Sequence, residues 1–171
     1  MSLRPKLVVT DIDGVWTDGA MYYGEDGSEF KRFHVRDGWG AFYLNQLGIP
    51  WIILTGEESL AARRRGEKLG ATEIRIGAKD KRNHLVEILA KYSLSPQEVA
   101  YLGDDLNDFP AIQLGIPFYA PADAHNSIKQ HATLTLELSG GQGVFRELVE
   151  RLFAEEDDFV SLVQKLTSSI S

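Results

Sequence analysis

Two aspartates directly follow a short β-branched run near the N-terminus, and this feature constrains the fold more than any other. The run Val8-Val9-Thr10 leads into Asp11-Ile12-Asp13-Gly14. A continuous apolar run of this length, ended by polar residues, is typical of a buried strand in a parallel sheet. Two carboxylates at such a strand end repel each other, so they imply a bound cation or a shared proton. The alternative is an ordinary polar turn, because Asp-Gly is common turn chemistry.

Composition restricts the class of protein. The 171 residues favour a single domain, 1–171, with one core. The formal net charge of −7 argues against a general binder of nucleic acid or of anionic membranes. The sequence has no cysteine, no apolar stretch long enough to span a bilayer and no signal-peptide core. We therefore expect a cytoplasmic protein that binds neither nucleic acid nor membranes.

Apolar runs alternate with helical patterns along the chain. Further strands are predicted at 50–54, 74–76, 99–102, 116–119 and 133–136, and helices at 39–47, 59–69, 80–92, 122–130 and 144–153. This alternation predicts an α/β fold with a doubly wound parallel sheet. Two aromatic-bearing runs around a Gly/Asp turn predict a β-hairpin inserted after the first strand, at about residues 19–36. A last helix and a loose tail are expected at about residues 155–171.

Polar side chains follow three of the predicted strands. Besides Asp11 and Asp13, Thr55 ends the second strand of the sheet and Asp104 follows the fourth. Because the carboxyl ends of parallel strands share one edge of the sheet, these groups can converge. Lys81 lies just past the third strand, where a helix begins. A lysine, a hydroxyl and Mg²⁺ around a carboxylate nucleophile form a phosphoryl-transfer site, and oxygen ligands of this kind suit Mg²⁺.

Four segments, in this order along the chain, resemble the motifs of the haloacid dehalogenase-like phosphatases. They are Asp11-Ile12-Asp13-Gly14-Val15, Thr55, Lys81 and Gly103-Asp104-Asp105-Leu106-Asn107-Asp108. The resemblance implies that Asp11 is the nucleophile, which forms an aspartyl-phosphate, and that Asp13 is the general acid/base. It also implies that Asp11, Asp104 and the backbone carbonyl of Asp13 bind Mg²⁺.

The same resemblance assigns residues around the phosphate. It implies that Thr55 and Lys81 hold the phosphate group. It implies that Asp105 and Asp108 do not bind the metal directly but orient water, the lysine or loop amides. The catalytic set implied by the family is therefore Asp11, Asp13, Thr55 and Lys81.

Further segments resemble the small capless phosphatases of 2-keto-3-deoxy sugar acids. These segments are Phe33-His34-Val35-Arg36-Asp37-Gly38, Asp80-Lys81, Ala122-Asp123-Ala124-His125 and Gly140-Gly141-Gln142-Gly143-Val144-Phe145-Arg146-Glu147. The best-known class acts on 3-deoxy-D-manno-octulosonate 8-phosphate and usually has arginine after Thr-Gly, where this chain has Glu57. With Arg65 and Lys68 on the following helix, Glu57 resembles the relative that acts on 2-keto-3-deoxy-D-glycero-D-galacto-nononate 9-phosphate. The nine-carbon substrate is therefore our first expectation and the eight-carbon substrate the alternative.

The substrate-binding residues implied in this way are Thr55, Gly56, Glu57, Arg65, Lys68 and Lys81. Glu57 could accept hydrogen bonds from sugar hydroxyls, and Arg65 and Lys68 could bind a carboxylate. An ordinary solvated helix face remains the alternative for these charges. Asp37 could bind substrate, but it more simply caps the next helix. The glycines at 140, 141 and 143 form either a phosphate or sugar loop or a turn.

Relatives with broad specificity carry a cap domain, whereas the sequence here leaves room only for the hairpin. A lone subunit would leave its site open to water, which weakens electrostatic catalysis. The hairpin carries more apolar side chains than an isolated ribbon can bury. We therefore expect a homotetramer, as in the resembled family, in which hairpins pack together and neighbouring subunits complete the sugar pocket. Two other functions stay open: a non-catalytic phosphatase-like oligomerisation module, and a phosphotransferase that passes the phosphoryl group to another alcohol.

Overall fold

The computed structural model describes residues 4–153 together with Ser161 and Gln164. The strands are β1 (Leu7–Thr10), β2 (Tyr22–Tyr23), β3 (Glu29–Phe30), β4 (Trp51–Leu54), β5 (Glu73–Arg75), β6 (Val99–Leu102), β7 (Phe118–Ala120) and β8 (Leu134–Thr135). The α-helices are α1 (Asp37–Gln46), α2 (Leu60–Leu69), α3 (Lys81–Tyr92), α4 (Phe109–Gln113), α5 (Asn126–His131) and α6 (Val144–Phe153). The helix and tail predicted at about 155–171 lie outside the described residues, apart from Ser161 and Gln164.

Six parallel strands form the main sheet, in the order β5-β4-β1-β6-β7-β8. From β1 the chain adds β4 and β5 on one side and then returns to add β6, β7 and β8 on the other. The direction of winding therefore reverses at β1, and a crevice opens between the carboxyl ends of β1 and β6. Ligands of doubly wound sheets bind in such a crevice. The predicted doubly wound parallel α/β fold is confirmed.

The central strands are buried on both faces, as their unbroken apolar sequences predict. Val8 and Val9 are adjacent in β1 and belong to separate hydrophobic clusters, because successive side chains of a strand point to opposite faces. In the first cluster, Trp16 stacks on Trp51 with ring centroids 5.8 Å apart and lies 4.5 Å from the ring of Phe145. The loop that follows β1 is thus anchored in the core by a large aromatic side chain.

The hairpin between β1 and α1 forms a separate two-stranded sheet that pairs Tyr22 with Phe30 and Tyr23 with Glu29. Its aromatic side chains are largely exposed in the single chain, Tyr23 by 69% and Phe30 by 61%. Among the described residues, no other insertion is large enough to form a cap domain. The hairpin insertion and the lack of a cap are therefore as predicted.

Several elements differ in extent from the prediction: β7 begins at Phe118 rather than at residue 116, and α1 begins at Asp37 rather than at residue 39. Helix α5 begins at Asn126 rather than at residue 122, because the preceding residues form a turn in which the Asp123 carboxylate accepts a hydrogen bond from Gly140 N at 2.9 Å. Strand β8 has two residues instead of four. Within the described part of the chain, no helix has the length and apolar composition that a membrane crossing requires.

Candidate active site

Asp11 lies at the carboxyl end of β1 and is 4% exposed. Its Oδ1 accepts a hydrogen bond from Ile12 N at 2.7 Å, and its Oδ2 accepts one from Lys81 Nζ at 2.7 Å. The hydroxyl of Thr10 donates to the Asp11 carbonyl at 2.8 Å and accepts from Trp16 Nε1 at 3.1 Å. Both the backbone and the carboxylate of Asp11 are therefore held in one orientation at the crevice.

Lys81 is the first residue of α3, and its side chain is almost completely buried. The helix begins there because the Asp80 carboxylate caps it, accepting a hydrogen bond from Asn83 N at 3.1 Å. Lys81 Nζ also donates to Asp108 Oδ1 at 2.6 Å. Burial disfavours the charged ammonium, but the carboxylates of Asp108 and Asp11 outweigh this and raise the pKa of Lys81 above its usual value.

Asp108 joins the lysine to the loop that follows β6. Its Oδ1 accepts from Lys81 Nζ and also from the hydroxyl of Tyr101 at 2.6 Å, while its Oδ2 accepts from Asp104 N at 3.0 Å. Asp105 is exposed, and its carboxylate accepts from Leu106 N at 2.7 Å. Asp108 thus contacts the lysine and a loop amide, and Asp105 contacts a loop amide; that neither binds the metal stays a prediction. Tyr101 was not predicted, because an apolar strand offers no signal that distinguishes a tyrosine with a partner from an ordinary core aromatic.

Carboxylate oxygens of Asp11, Asp104 and Asp108 lie within 4.8 Å of one another. Burial, together with the neighbouring carboxylates, raises the pKa of Asp11 to about 7 and that of Asp104 to about 8, although Lys81 partly offsets the repulsion. A Cβ atom at Gly14 would lie 1.9 Å from Asp104 Oδ2, so only glycine allows this approach. A divalent cation relieves repulsion of this kind, and an all-oxygen set with room for water suits Mg²⁺. The described residues therefore fit the predicted cofactor.

Asp13 lies in the loop that follows β1, two residues after Asp11, and contacts the hairpin. Its Oδ1 accepts a hydrogen bond from Lys31 Nζ at 2.6 Å and a longer one from Thr17 Oγ1 at 3.5 Å. The Lys31 side chain is 0% exposed and also lies 3.2 Å from Glu29 Oε1. Sequence reasoning missed Lys31, because a lysine in a hairpin ordinarily faces solvent and no spacing rule connects it to Asp13.

A cleft of about 400 Å³ opens over these residues. Its lining includes most of the predicted site, namely Asp11, Asp13, Thr55, Gly56, Glu57, Asp104 and Asp105. It is completed by Gly14, Gly19, Leu106 and Asn107. Lys81 and Asp108 lie buried behind the lining, where they contact it through Asp11 and Asp104. The structure thus brings the predicted catalytic and metal residues together.

Arg65 and Lys68 do not line this cleft in the single chain. Helix α2 starts near the cleft, where Ser59 caps it, and runs away from that edge, so that Lys68 in the last turn lies about 12 Å along the axis from Leu60. Arg65 instead donates to the His34 carbonyl at 3.4 Å, and its guanidinium lies 5.8 Å from the centre of the Phe33 ring. Their role in substrate binding stays a prediction.

The glycine-rich loop, residues 140–143, packs against the backbone of the loop that follows β1. We call that second loop, residues 11–19, the catalytic loop. A Cβ at Gly140 would lie 2.1 Å from the Gly14 carbonyl oxygen, and one at Gly141, whose φ is +70°, would lie 2.7 Å from Asp18 N. Gly141 N donates to the Val15 carbonyl at 2.8 Å. The described contacts favour the turn over a phosphate or sugar loop, since none of these glycines lines the cleft, and they show in addition a close approach of two backbone segments.

Asp37 is a capping residue, but for a different helix from the one predicted. It is the first residue of α1, where no side-chain cap is present, and its Oδ1 instead accepts from Arg146 N in α6 at 3.2 Å. The prediction that it caps the next helix was wrong, because the start of α6 packs beside the start of α1, and Gly40 makes room for the Arg146 backbone there. This contact holds the segment after the glycine-rich loop in place.

Comparison with known proteins identifies the family. A family model described as haloacid dehalogenase-like hydrolase matches residues 41–114. The chain is 37% identical over 153 residues to the 3-deoxy-D-manno-octulosonate 8-phosphate phosphatase KdsC of Yersinia pestis, covering 89% of this chain and 81% of that protein. It is 35% identical over 147 residues to the corresponding enzyme of Haemophilus influenzae, covering 86% of this chain and 82% of that protein.

Solved structures agree with this assignment. The structure of 3-deoxy-D-manno-octulosonate 8-phosphate phosphatase from Moraxella catarrhalis, in complex with magnesium, phosphate and KDO, matches with a TM-score of 0.90 and 30% identity over 96% of this chain and 95% of that chain. The cobalt-bound Haemophilus influenzae enzyme matches with a TM-score of 0.82 and 35% identity, over 87% of each chain. The predicted Mg²⁺ cofactor is thus confirmed at the level of the family, and the acidic cluster fits it. The chain is a phosphatase, and it belongs to the haloacid dehalogenase-like hydrolases, in the family of the 3-deoxy-D-manno-octulosonate 8-phosphate phosphatases.

Proposed function

We propose that the chain is a Mg²⁺-dependent hydrolase of 3-deoxy-D-manno-octulosonate 8-phosphate. The observation that carries the chemistry is the buried Asp11 carboxylate at the crevice, held by Lys81 beside Asp104 and Asp108. The similar enzymes of Yersinia pestis and Haemophilus influenzae support the eight-carbon substrate. They do not support our first expectation of a nine-carbon substrate, which rested on Glu57 together with Arg65 and Lys68.

The reaction proceeds in two displacements at phosphorus. An oxygen of Asp11 attacks, the bond from phosphorus to the sugar oxygen breaks, and Asp13 donates a proton to that leaving oxygen. Water then attacks the aspartyl-phosphate, Asp13 takes a proton from it, and the bond from phosphorus to Asp11 breaks, releasing phosphate. Bound Mg²⁺ supplies charge neutralisation at the phosphate oxygens and at the carboxylates.

Residues around the nucleophile position the phosphate and the lysine. The Lys81 ammonium offsets negative charge that develops on the phosphoryl group, and the Thr55 hydroxyl donates a hydrogen bond to it. Asp108 does not react but fixes Lys81 through the 2.6 Å contact and orders the Asp104 loop through its backbone amide. Asp105 caps the short helix that follows this loop.

Glu57 keeps the nine-carbon sugar acid phosphate as the second candidate substrate. Its exposed side chain lies at the rim of the cleft, where it can accept hydrogen bonds from sugar hydroxyls. Steady-state kinetics on the two phosphates side by side distinguishes the candidates. We expect a higher kcat/KM with the eight-carbon compound, and a Glu57→Ala variant that leaves this value within a few-fold. A clear preference of the wild type for the nine-carbon compound, lost in Glu57→Ala, would reverse the assignment.

The exposed hairpin supports a homotetramer in which neighbouring subunits complete the sugar pocket. Tyr22, Tyr23 and Phe30 are 46%, 69% and 61% exposed in the single chain, a larger apolar area than a two-stranded ribbon ordinarily leaves in water. In such an assembly Arg65 and Lys68 would serve a pocket shared between subunits. Sedimentation at micromolar concentration tests this: a fully active monomer would contradict it. The cytoplasmic location stays an expectation from the sequence.

The nucleophile is tested with Asp11→Asn, and Asp26→Asn in the exposed hairpin turn is the matched control. We expect Asp11→Asn to abolish turnover while the fold is retained, and the control to keep wild-type activity. Near wild-type turnover in Asp11→Asn would exclude Asp11 as the nucleophile. Adding an alcohol acceptor to the assay tests the phosphotransferase alternative, which requires a phosphorylated alcohol among the products.

A further inference from the structure

The hairpin brings a lysine whose side chain is inaccessible to solvent to the proposed acid/base. Lys31 Nζ lies 2.6 Å from Asp13 Oδ1, and the lysine side chain is 0% exposed whereas that of Asp13 is 23% exposed. Besides Asp13, the ammonium contacts Glu29 Oε1 at 3.2 Å and Met21 Sδ at 3.6 Å. Lys31 does not line the cleft. It therefore reaches the site only through Asp13.

Burial of this ammonium is unusual for its place in the fold. Lysine is rarely buried unless it is paired, and a lysine on a surface ribbon ordinarily extends its charged end into water. Here two carboxylates, on the hairpin and on the catalytic loop, compensate for the lost hydration. The ion pairs thus keep the charged end of Lys31 out of water although the hairpin lies at the surface.

The hairpin also carries an exposed cation next to Lys31. The adjacent Arg32 also joins the hairpin to the catalytic loop, through an ion pair of 3.0 Å from its Nη2 to Asp18 Oδ2. That pair is exposed, with 61% of the arginine side chain and 31% of the aspartate side chain accessible. Exposed pairs of this kind contribute little to stability. Arg32 is therefore a suitable control for Lys31. It joins the hairpin to the same loop but makes no contact with Asp13.

Lys31 makes the shortest contact that fixes the Asp13 carboxyl. The other donor to Oδ1 is Thr17 at 3.5 Å, and Oδ2 has no hydrogen-bond partner among the described residues. We propose that Lys31 is a positioning residue, which holds Asp13 Oδ1 and so orients the carboxyl group for proton exchange with the leaving oxygen. The inference rests on the proposed function, since it requires Asp13 to be the acid/base. In a chain without a cap domain, the hairpin then orients the acid/base of its own subunit.

The test compares leaving groups, because a displaced acid impairs release of an alkoxide much more than release of a nitrophenolate. Single-turnover alcohol release is measured with the sugar acid phosphate and with p-nitrophenyl phosphate, for Lys31→Met, Lys31→Arg and Arg32→Met. For Lys31→Met we expect the ratio of the two rates, sugar over aryl, to fall by roughly 10- to 100-fold, since general acid catalysis contributes about 10²- to 10⁴-fold. Lys31→Arg should restore most of the ratio, and Arg32→Met should leave it unchanged.

Two further variants make the outcomes distinguishable. Asp13→Asn must lower the same ratio at least as much as Lys31→Met; if it does not, the proposed role of Asp13 fails independently of Lys31. If Asp13→Asn lowers the ratio while Lys31→Met changes both rates equally or neither, only the inference about Lys31 is overturned. Lys31→Gln replaces Lys31→Met in the same assay if the methionine variant does not fold, as judged by circular dichroism.

Discussion

The carboxyl group of Asp37 makes a specific prediction about the pH dependence of stability. It is 0% exposed, accepts a hydrogen bond from Arg146 N at 3.2 Å, and has one oxygen without a hydrogen-bond partner among the described residues. Burial raises the pKa of Asp37 from 3.8 to about 7, although the amides of Arg146 and Phe145 and the charge of Arg65 act in the opposite direction. We expect Asp37→Asn to flatten the fall of stability with pH.

The sign follows from proton linkage. A carboxyl whose pKa is higher in the folded than in the unfolded state binds more protons when folded, so stability falls as pH rises from 3.8 to about 7 and is constant beyond. A difference of roughly three units corresponds to about 4 kcal/mol in total, of which about 2 to 3 kcal/mol develops between about pH 5 and 8. Asparagine keeps an oxygen for Arg146 N but carries no charge. As pH rises, the unfolding free energy of the variant should therefore increase relative to that of the wild type by up to this amount.

Urea unfolding followed by tryptophan fluorescence measures the effect, because Trp16 and Trp51 are buried. Urea titrations are run at about pH 5 and about pH 8, each with chelator and with saturating Mg²⁺. They separate the contribution of Asp37 to the pH dependence of stability from that of the acidic cluster. Bound Mg²⁺ removes most of the contribution of Asp11 and Asp104, whereas the contribution of Asp37 persists. Asp26→Asn is the matched control, because hydrogen bonds from Ser28 lower the pKa of that exposed carboxyl.

A constant difference between wild type and Asp37→Asn across this pH range would refute the reasoning. It would mean that Asp37 ionises equally easily in the folded and unfolded states, so that the contacts from α6 and Arg65 fully compensate for its burial. A variant that is less stable by the same amount at every pH would have the same meaning. Only a difference that grows with pH, and that grows equally with and without Mg²⁺, supports the linkage.

Three other changes have defined outcomes. Gly140→Ala places a Cβ 2.1 Å from the Gly14 carbonyl oxygen, so we expect a loss of about 1–3 kcal/mol in urea unfolding and a lower kcat. Tyr101→Phe removes a 2.6 Å hydrogen bond to Asp108, which should cost about 1.5–3 kcal/mol in unfolding free energy and reduce kcat more than it changes KM. Chelation should abolish turnover and added Mg²⁺ should restore it, as phosphate release will register.

The fold and the convergence of polar side chains at one edge of the sheet were predictable because local sequence encodes them. Each central strand is a continuous apolar run, and each run ends in the polar residue that the sheet brings to one edge, as at Asp11, Thr55 and Asp104. The starts of α2 and α3 were likewise predicted to within one residue, and Ser59 and Asp80 cap those helices. Patterns of this kind depend on neighbours within a few positions.

Contacts between distant segments were not predictable. Lys31 meets Asp13 across 18 positions of sequence, and Asp37 meets Arg146 across 109. Neither spacing has a periodicity, and both depend on how a hairpin or a helix start packs after the sheet has formed. Lys68 does not line the cleft of the single chain for a related reason: charges on one helix are spread along its axis, away from the edge of the sheet where the helix begins.

Two different lysines contact the two carboxylates for which we propose different functions. Lys81, the first residue of α3, holds the buried Asp11. Lys31, in the hairpin insertion, holds the more accessible Asp13. Asp11 is constrained by contacts from the loop after β1 and from α3. Asp13 is constrained by a hairpin that forms a sheet separate from the main sheet. If both contacts act as proposed, nucleophilic attack depends on the α/β scaffold, whereas protonation of the leaving group depends on the hairpin. The hairpin is also the segment whose exposed aromatic side chains would contact a neighbouring subunit.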